Sequence, residues 1–131
     1  MSPTGYDEIE RLSRVFEKAP YPVFICDPRG ELVFANGAAT EIYSNLHKSP
    51  SIQQWTSLAK LREAETGNLL PVERYPIARA LRGEIVSGLI VDVQNLSTKR
   101  SYRISIDSHP VYASDGKLIG AVSVHRLIKE N

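Results

Sequence analysis

The sequence predicts an α+β domain, with short helices on one face of an antiparallel sheet. Three observations carry that reading: an amphipathic helical pattern opens the chain, a β-hairpin and several short helical segments follow, and three longer strand patterns close it.

Thr4-Gly5-Tyr6-Asp7 fits a capping box, and Ile9, Leu12, Val15 and Phe16 recur at spacings of three and four, so a helix is predicted from Thr4 to about Lys18. Glu10 and Arg14 add a favourable i,i+4 pair. The "PYP" at 20–22 stops this helix, because proline lacks the amide proton and holds the preceding residue extended. "VFICD" and "ELVFAN" then flank "DPRG", whose Asp, Pro and Gly suit a turn, which predicts a hairpin over residues 22–36. Ala38, Ala39, Ile42, Tyr43 and Leu46 fall at helical spacing, and "SIQQWTSLAKLREAE" carries Ile52, Trp55, Leu58, Ala59 and Leu61 in a weaker pattern, so two short helices are predicted. "PVERYPIARALRG" predicts a third, with Ile77, Ala80 and Leu81 as its apolar stripe and Gly83 as its stop. From Glu84 the pattern changes to period two and continuous apolar runs. "EIVSGLIVDVQN", "RSYRISIDSHPV" and "GKLIGAVSVHRL", separated by "LSTK" and "YASDG", predict three antiparallel strands.

With 131 residues the chain has the size of one domain with one core. Its 42% hydrophobic and 24% charged content and net charge of +1 match ordinary globular domains and exclude disordered, collagen-like and membrane classes. The sixteen Lys and Arg are scattered among fifteen Asp and Glu, leaving no basic face for a nucleic acid. No apolar run approaches the ~20 residues of a membrane span, and "MSPTGYDEIERL" lacks the basic start and apolar middle of a signal peptide. One cysteine, Cys26, matches a reducing compartment, so a cytoplasmic protein is expected.

The sequence holds no Gly-x-Ser-x-Gly elbow, phosphate-binding loop or dinucleotide fingerprint. His47, His109 and His125 stand at irregular intervals outside any metal-ligand spacing, so each reads as structural or exposed. Cys26, in a strand, reads as a small buried hydrophobe, the competing reading being a redox sensor with a depressed thiol pKa and solvent access. Arg74, Arg79, Arg82 and Arg103 read as solvated charges before carboxylate clamps, and Tyr43, Trp55, Tyr75 and Tyr102 as core or rim aromatics before ligand clamps.

"YPVFICDPRGELVFANGAATEIY", with its Asn-x-Ala-x-x-x-x-Tyr run, resembles the opening hairpin and helix of a PAS domain. "GNLLPVERYPIARALRGEIVSG" is similar to the subset with a Leu-Pro turn and Ala-Leu-x-Gly-Glu before the third strand, and "SHPVYASDGKLIGAVSVHRLI" resembles the family's close. The resemblance runs from about Arg11 to Ile128. It implies a five-stranded sheet in the order 2-1-5-4-3, with short helices cupping a small pocket and residues 67–88 as its wall. Aligning Asp27, Pro110 and Gly120 with the family places Phe24, Cys26, Phe34, Ile104, Ile106 and Val122 toward that pocket, and Tyr75 joins them as candidate lining. The family's blue-light flavin adduct needs a cysteine on a central helix, whereas Cys26 lies on the first strand; its haem site needs a histidine on the helix before the third strand, which "VERYPIARALR" lacks. The cofactor is thus left unassigned, and Tyr75 is read as packing that helix before ligating iron.

What the resemblance implies is a non-catalytic sensory and dimerisation module of a two-component protein such as a histidine kinase. It would couple a small-molecule or redox stimulus in the pocket to a downstream effector. Residues 1–19 are expected to form a capping and dimerisation helix, 20–128 the sensor domain and 129–131 the start of a linker to an output domain. Ile9, Leu12, Phe16 and Ala19, at a/d-like spacing, suit a homodimer through this helix and the sheet face. The family's closing Asp-x-Thr is absent from "VHRLIKEN". Two other readings stay open: a ligand-free protein–protein interaction domain with a filled core, and a small enzyme using His109 with Asp107.

Overall fold

The computed structural model describes residues 5–44 and 51–131. Its α-helices are α1 (Gly5–Phe16), α2 (Gly37–Ile42) and α3 (Pro76–Leu81), and its strands are β1 (Val23–Cys26), β2 (Leu32–Ala35), β3 (Ala59–Glu63), β4 (Val86–Asn95), β5 (Ser101–Tyr112) and β6 (Leu118–Glu130). The strands form one antiparallel sheet in the order β2-β1-β6-β5-β4-β3. The fold is therefore α+β, with six strands where five were expected.

The sixth strand arises inside a predicted helix. Residues Ile52–Ser57 form a 3-10 helix, opened by a capping box in which Ser51 and Gln54 exchange bonds, and Ala59–Glu63 then extend as β3. The apolar spacing of this stretch fits either a helix or alternation. Alternation wins because buried Ala59 and Leu61 interleave with exposed Lys60, and the segment meets an open edge of β4, with Ala59 opposite Asn95 and Glu63 opposite Val91. The other predicted elements shift only at their ends. α1 closes at Phe16, whose carbonyl accepts a 3.1 Å bond from Ala19 N. Thr4 and Leu46, expected to cap and extend helices, lie outside the described residues. The third predicted helix breaks into a 3-10 turn, Val72–Arg74, and α3, because Pro76 holds Tyr75 at ψ 139°. β6 continues to Glu130, past the end of the predicted strand pattern at Leu127.

Strand parity gives the sheet two unlike faces. Phe24 lies opposite Ser123, and Cys26 opposite Ala121, facing α2, α3 and the main core. Val23 and Ile25, also fully buried, face the other way, the latter opposite Val122. This second face carries α1, whose Ile9 reaches the backbone of Gly120. Here β1 and β6 run so close that a Cβ on Gly120 would collide with the Cys26 carbonyl oxygen.

Asn36 joins these layers. It is buried, and its Oδ1 accepts from Val23 N and from Ala39 N, each at 3.1 Å, fixing the start of β1 and capping α2. Its Nδ2 donates to Phe16 O at 3.0 Å and Tyr21 O at 2.9 Å, pinning the end of α1 and the connection into β1. Replacing Asn36 by Ala is expected to cost roughly 2–4 kcal/mol in urea unfolding, since several buried backbone groups lose partners at once. Asn36→Asp should be no milder at neutral pH: it keeps the two accepted bonds but turns a carboxylate oxygen toward two carbonyls.

Candidate functional site

The helix-covered face of the sheet encloses a cavity of about 40 Å³. Phe24 on β1, Ser123 and His125 on β6 and Ile106 on β5 form its floor. Tyr43, which follows α2, and Trp55 and Leu58 of the 3-10 segment stand at its sides, with Ala59 and Leu61 of β3. Tyr75, Pro76 and Ile77 at the start of α3 close it, so the proline-rich stretch of residues 67–88 supplies one wall. Two devices hold that wall: Pro76 occupies the first helical position, and Gly83, at φ 90°, turns the chain out of α3 toward β4.

Phe24 is the hub of the lining. Its ring lies 5.2 Å from Tyr43, 5.7 Å from Trp55 and 4.8 Å from His125, centroid to centroid. Behind this aromatic surface runs a buried polar chain. Ser108 Oγ donates to Ser123 Oγ at 2.7 Å, Ser123 Oγ bonds His125 Nε2 at 3.1 Å, and His125 Nδ1 bonds Tyr43 Oη at 2.8 Å. Both ring nitrogens are thereby occupied with no carboxylate in the chain to favour a proton. Burial accordingly pushes the imidazole pKa down to about 3, and also raises the phenols of Tyr43 and Tyr75. The Tyr75 side chain has no hydrogen-bond partner among the described residues.

Of the seven residues expected to line a pocket, Phe24, Tyr75 and Ile106 border this cavity. Cys26 and Ile104 face the same side but are packed into the core beyond it. Phe34 and Val122 require correction: both pair with Ile25, on the opposite face. A bulge in the β1–β2 ladder, where Cys26 pairs with Leu32 and Ile25 with Phe34, brings Leu32 rather than Phe34 against the core. His125 and Ser123 were missed; their signal was polar residues alternating with apolar ones along β6, in step with buried Ala121.

Other sequence candidates lie elsewhere. Arg103 forms two bonds with Asp92, of 2.9 and 3.1 Å, while Arg79 and Arg82 pair with Glu84 at 3.2 and 3.5 Å, and Arg74 is exposed. Asp107 accepts a 2.7 Å bond from Gly88 N and His109 is exposed, both on the face away from the cavity. Cys26 is fully buried, and its desolvated thiol is pushed up to about 12, with Asp27 adding to the shift. Burial and the raised pKa both run against the thiolate and the access that a redox sensor needs. Among the described residues no group of three or more His, Cys, Asp or Glu is placed to hold a metal ion. A cavity of about 40 Å³ suits roughly three water-sized groups. A flavin or haem needs a pocket of several hundred Å³, about 300–1,000 for drug-sized ligands.

An antiparallel sheet with helices cupped over one face, enclosing a small aromatic cavity, defines a class of small α+β domains. A family model described as "PAS domain" matches residues 10–85, and the chain belongs to the PAS domain family. Solved structures agree on the fold. The PAS domain of nitrogen regulation protein NR(II) from Vibrio parahaemolyticus is 17% identical, with a TM-score of 0.58 over 89% of this chain and 97% of that one. A PAS domain from Colwellia psychrerythraea is 15% identical, with a TM-score of 0.61 over 94% and 98%. The Rhodobacter sphaeroides LOV protein is 13% identical, with a TM-score of 0.65 over 92% and 67%. No curated protein matches the sequence.

Two outcomes follow from the buried titratable groups. His125 has a pKa of about 3 when folded against 6.5 unfolded, so below pH 6.5 the unfolded chain binds the extra proton and stability falls with acid. Between pH 7 and pH 5 the loss from this group should be about 2 kcal/mol, and comparing urea unfolding of wild type and His125→Gln at the two values isolates it. For Cys26, a thiol reagent such as DTNB at pH 8 should release no colour from the native protein and one equivalent in denaturant, as one cysteine is present.

Proposed function

We propose that this PAS domain is the sensory and dimerisation module of a cytoplasmic signal-transduction protein, in which a small molecule in the aromatic cavity is coupled to a downstream effector. The observation that carries the reading is the cavity itself. It is mainly apolar, walled by three separate elements over the sheet, and backed by a hydrogen-bonded chain that crosses from Tyr43 through β6 to β5. With Cys26 sealed in the core, a small-molecule stimulus is favoured over a redox one. The domain itself is read as non-catalytic. Similarity to the PAS domain of a nitrogen regulation protein supports an effector of two-component type, such as a histidine kinase.

The coupling route that fits runs along β6. Its far end is tied back by Arg100, which pairs with Glu130, and by Asn131, whose Nδ2 donates to Asp92 Oδ1 and Ser101 Oγ at 3.1 and 3.0 Å. A change at His125 would thus reach the boundary near residues 129–131, where a linker to an output domain is placed. Residues 1–19 supply the dimerisation helix in this reading. On α1 Ile9, Leu12 and Phe16 are only half-buried and Val15 is 73% exposed, which leaves apolar surface for a second copy.

A second reading, a ligand-free interaction domain, is favoured by a groove beside β4 that gathers exposed Ile85, Ile90 and Ile128. Native against denaturing mass spectrometry separates the two. A non-covalent adduct lost on denaturation supports the sensor, and a bare chain that takes up no small molecule supports the interaction domain. Sedimentation should give a homodimer, and Val15→Glu should shift it toward monomer without lowering the urea midpoint by more than about 0.5 kcal/mol in stability.

A further inference from the structure

The Tyr75 phenol is the polar group of the cavity that its surroundings leave incomplete. Its residue is 4% exposed and lines the cavity, yet among the described residues its hydroxyl makes no hydrogen bond. Every fully enclosed side-chain nitrogen or oxygen among these residues does have a partner, so the Tyr75 oxygen keeps some accessible surface. Burial raises its pKa, which keeps it a proton donor at neutral pH.

A second hydroxyl belongs to a residue lining the same cavity, Tyr43. In the tautomer that carries the imidazole proton on Nδ1, Nδ1 donates to Tyr43 Oη and Nε2 accepts from Ser123 Oγ. The Tyr43 proton is then left to donate elsewhere. Tyr75 lies close enough to oppose a negative charge on Tyr43. The lining contains no Asp, Glu, Lys or Arg.

Building on the cavity as a ligand site, we propose that it takes a small uncharged molecule with an apolar body and a carbonyl-type oxygen, gripped by the Tyr75 hydroxyl with Tyr43 as second donor. One carbonyl oxygen has two lone pairs for two donors. A charged ligand would enter without a counter-charge. A ligand bringing only a donor would find His125 Nε2 and Nδ1 already engaged.

The test uses acetaldehyde and propane, probes of three heavy atoms that match the cavity, titrated into the full chain and its Tyr75→Phe variant. Binding is read from the indole N–H resonance of Trp55, the single tryptophan, which borders the cavity. Tyr75→Phe should weaken acetaldehyde about three- to tenfold, the range of one hydrogen bond, and leave propane unchanged. In the wild type, the carbonyl carbon of ¹³C-labelled acetaldehyde should move downfield of its position in an alkane. An equal effect of the variant on both probes, no effect on the aldehyde, or a carbonyl resonance at its alkane value overturns the donor assignment while propane binding leaves the cavity standing as a ligand site. Failure of both probes to bind overturns the cavity reading and this inference together.

Discussion

The carboxamide of Asn36 is the constraint on which the rest of the architecture depends. One side chain accepts from two backbone amides and donates to two carbonyls, so the end of α1, the entry to β1 and the first turn of α2 cannot move independently. Only an amide can do this, since a carboxylate has no donor and an amine no acceptor. A second buried asparagine repeats the device across the domain. Asn95 Nδ2 donates to Ile42 O at 2.8 Å, and its Oδ1 accepts from Ser97 N and Thr98 N at 2.9 and 3.1 Å. α2 is thus tethered at its start to β1 and at its end to the β4–β5 hairpin, and Tyr43, the next residue after α2, is delivered to the cavity without any choice of position.

That placement explains how a polar chain survives in the core. Taking an imidazole and three hydroxyls out of water is costly unless each finds a partner, and the partners here come from elements fixed by other means: Tyr43 by the two asparagines, Ser123 and His125 by the ladder of β6 with β1 and β5, Ser108 by β5. An apolar set of similar size would pack as well and fold with less demand. The chain instead makes one side of an aromatic cavity responsive to hydrogen bonding. Its neutral imidazole follows from the same geometry, because neither neighbour offers a negative charge.

Much of this was legible in the sequence, and the failures have physical causes. The β1–β2 hairpin was visible because Asp27 builds its own turn, with Oδ1 accepting from Arg29 N and Glu31 N, and the last three strands because their alternation is long. β3 was not, since Ile52, Trp55, Leu58 and Leu61 satisfy helical spacing, and only the open edge of β4 decides for a strand. Phe34 and Val122 were misplaced for a related reason: one residue of slip in a strand exchanges its faces, and the bulge opposite Cys26 is a property of the paired ladder. His125 hid in plain view. A lone histidine has no spacing to report, and its partners Tyr43 and Ser108 are distant in sequence and meet only after the sheet has closed.

The two walls of the cavity are built to different standards. α3 buries Pro76, Ile77, Ala78 and Ala80, begins with a proline that fixes its first turn, and is held at its far end by Arg79 and Arg82 on Glu84. The 3-10 segment opposite buries only Ile52, while Trp55 and Leu58 remain half-buried at the rim. Local opening is cheapest where the fewest apolar contacts must be broken, and 3-10 hydrogen bonds are the weaker kind. Residues 67–88, the wall that the resemblance implies, are therefore the more firmly held side. For a ligand of the proposed sensor the easier passage is thus the side of Trp55, which places the reporting residue at the rim it would cross.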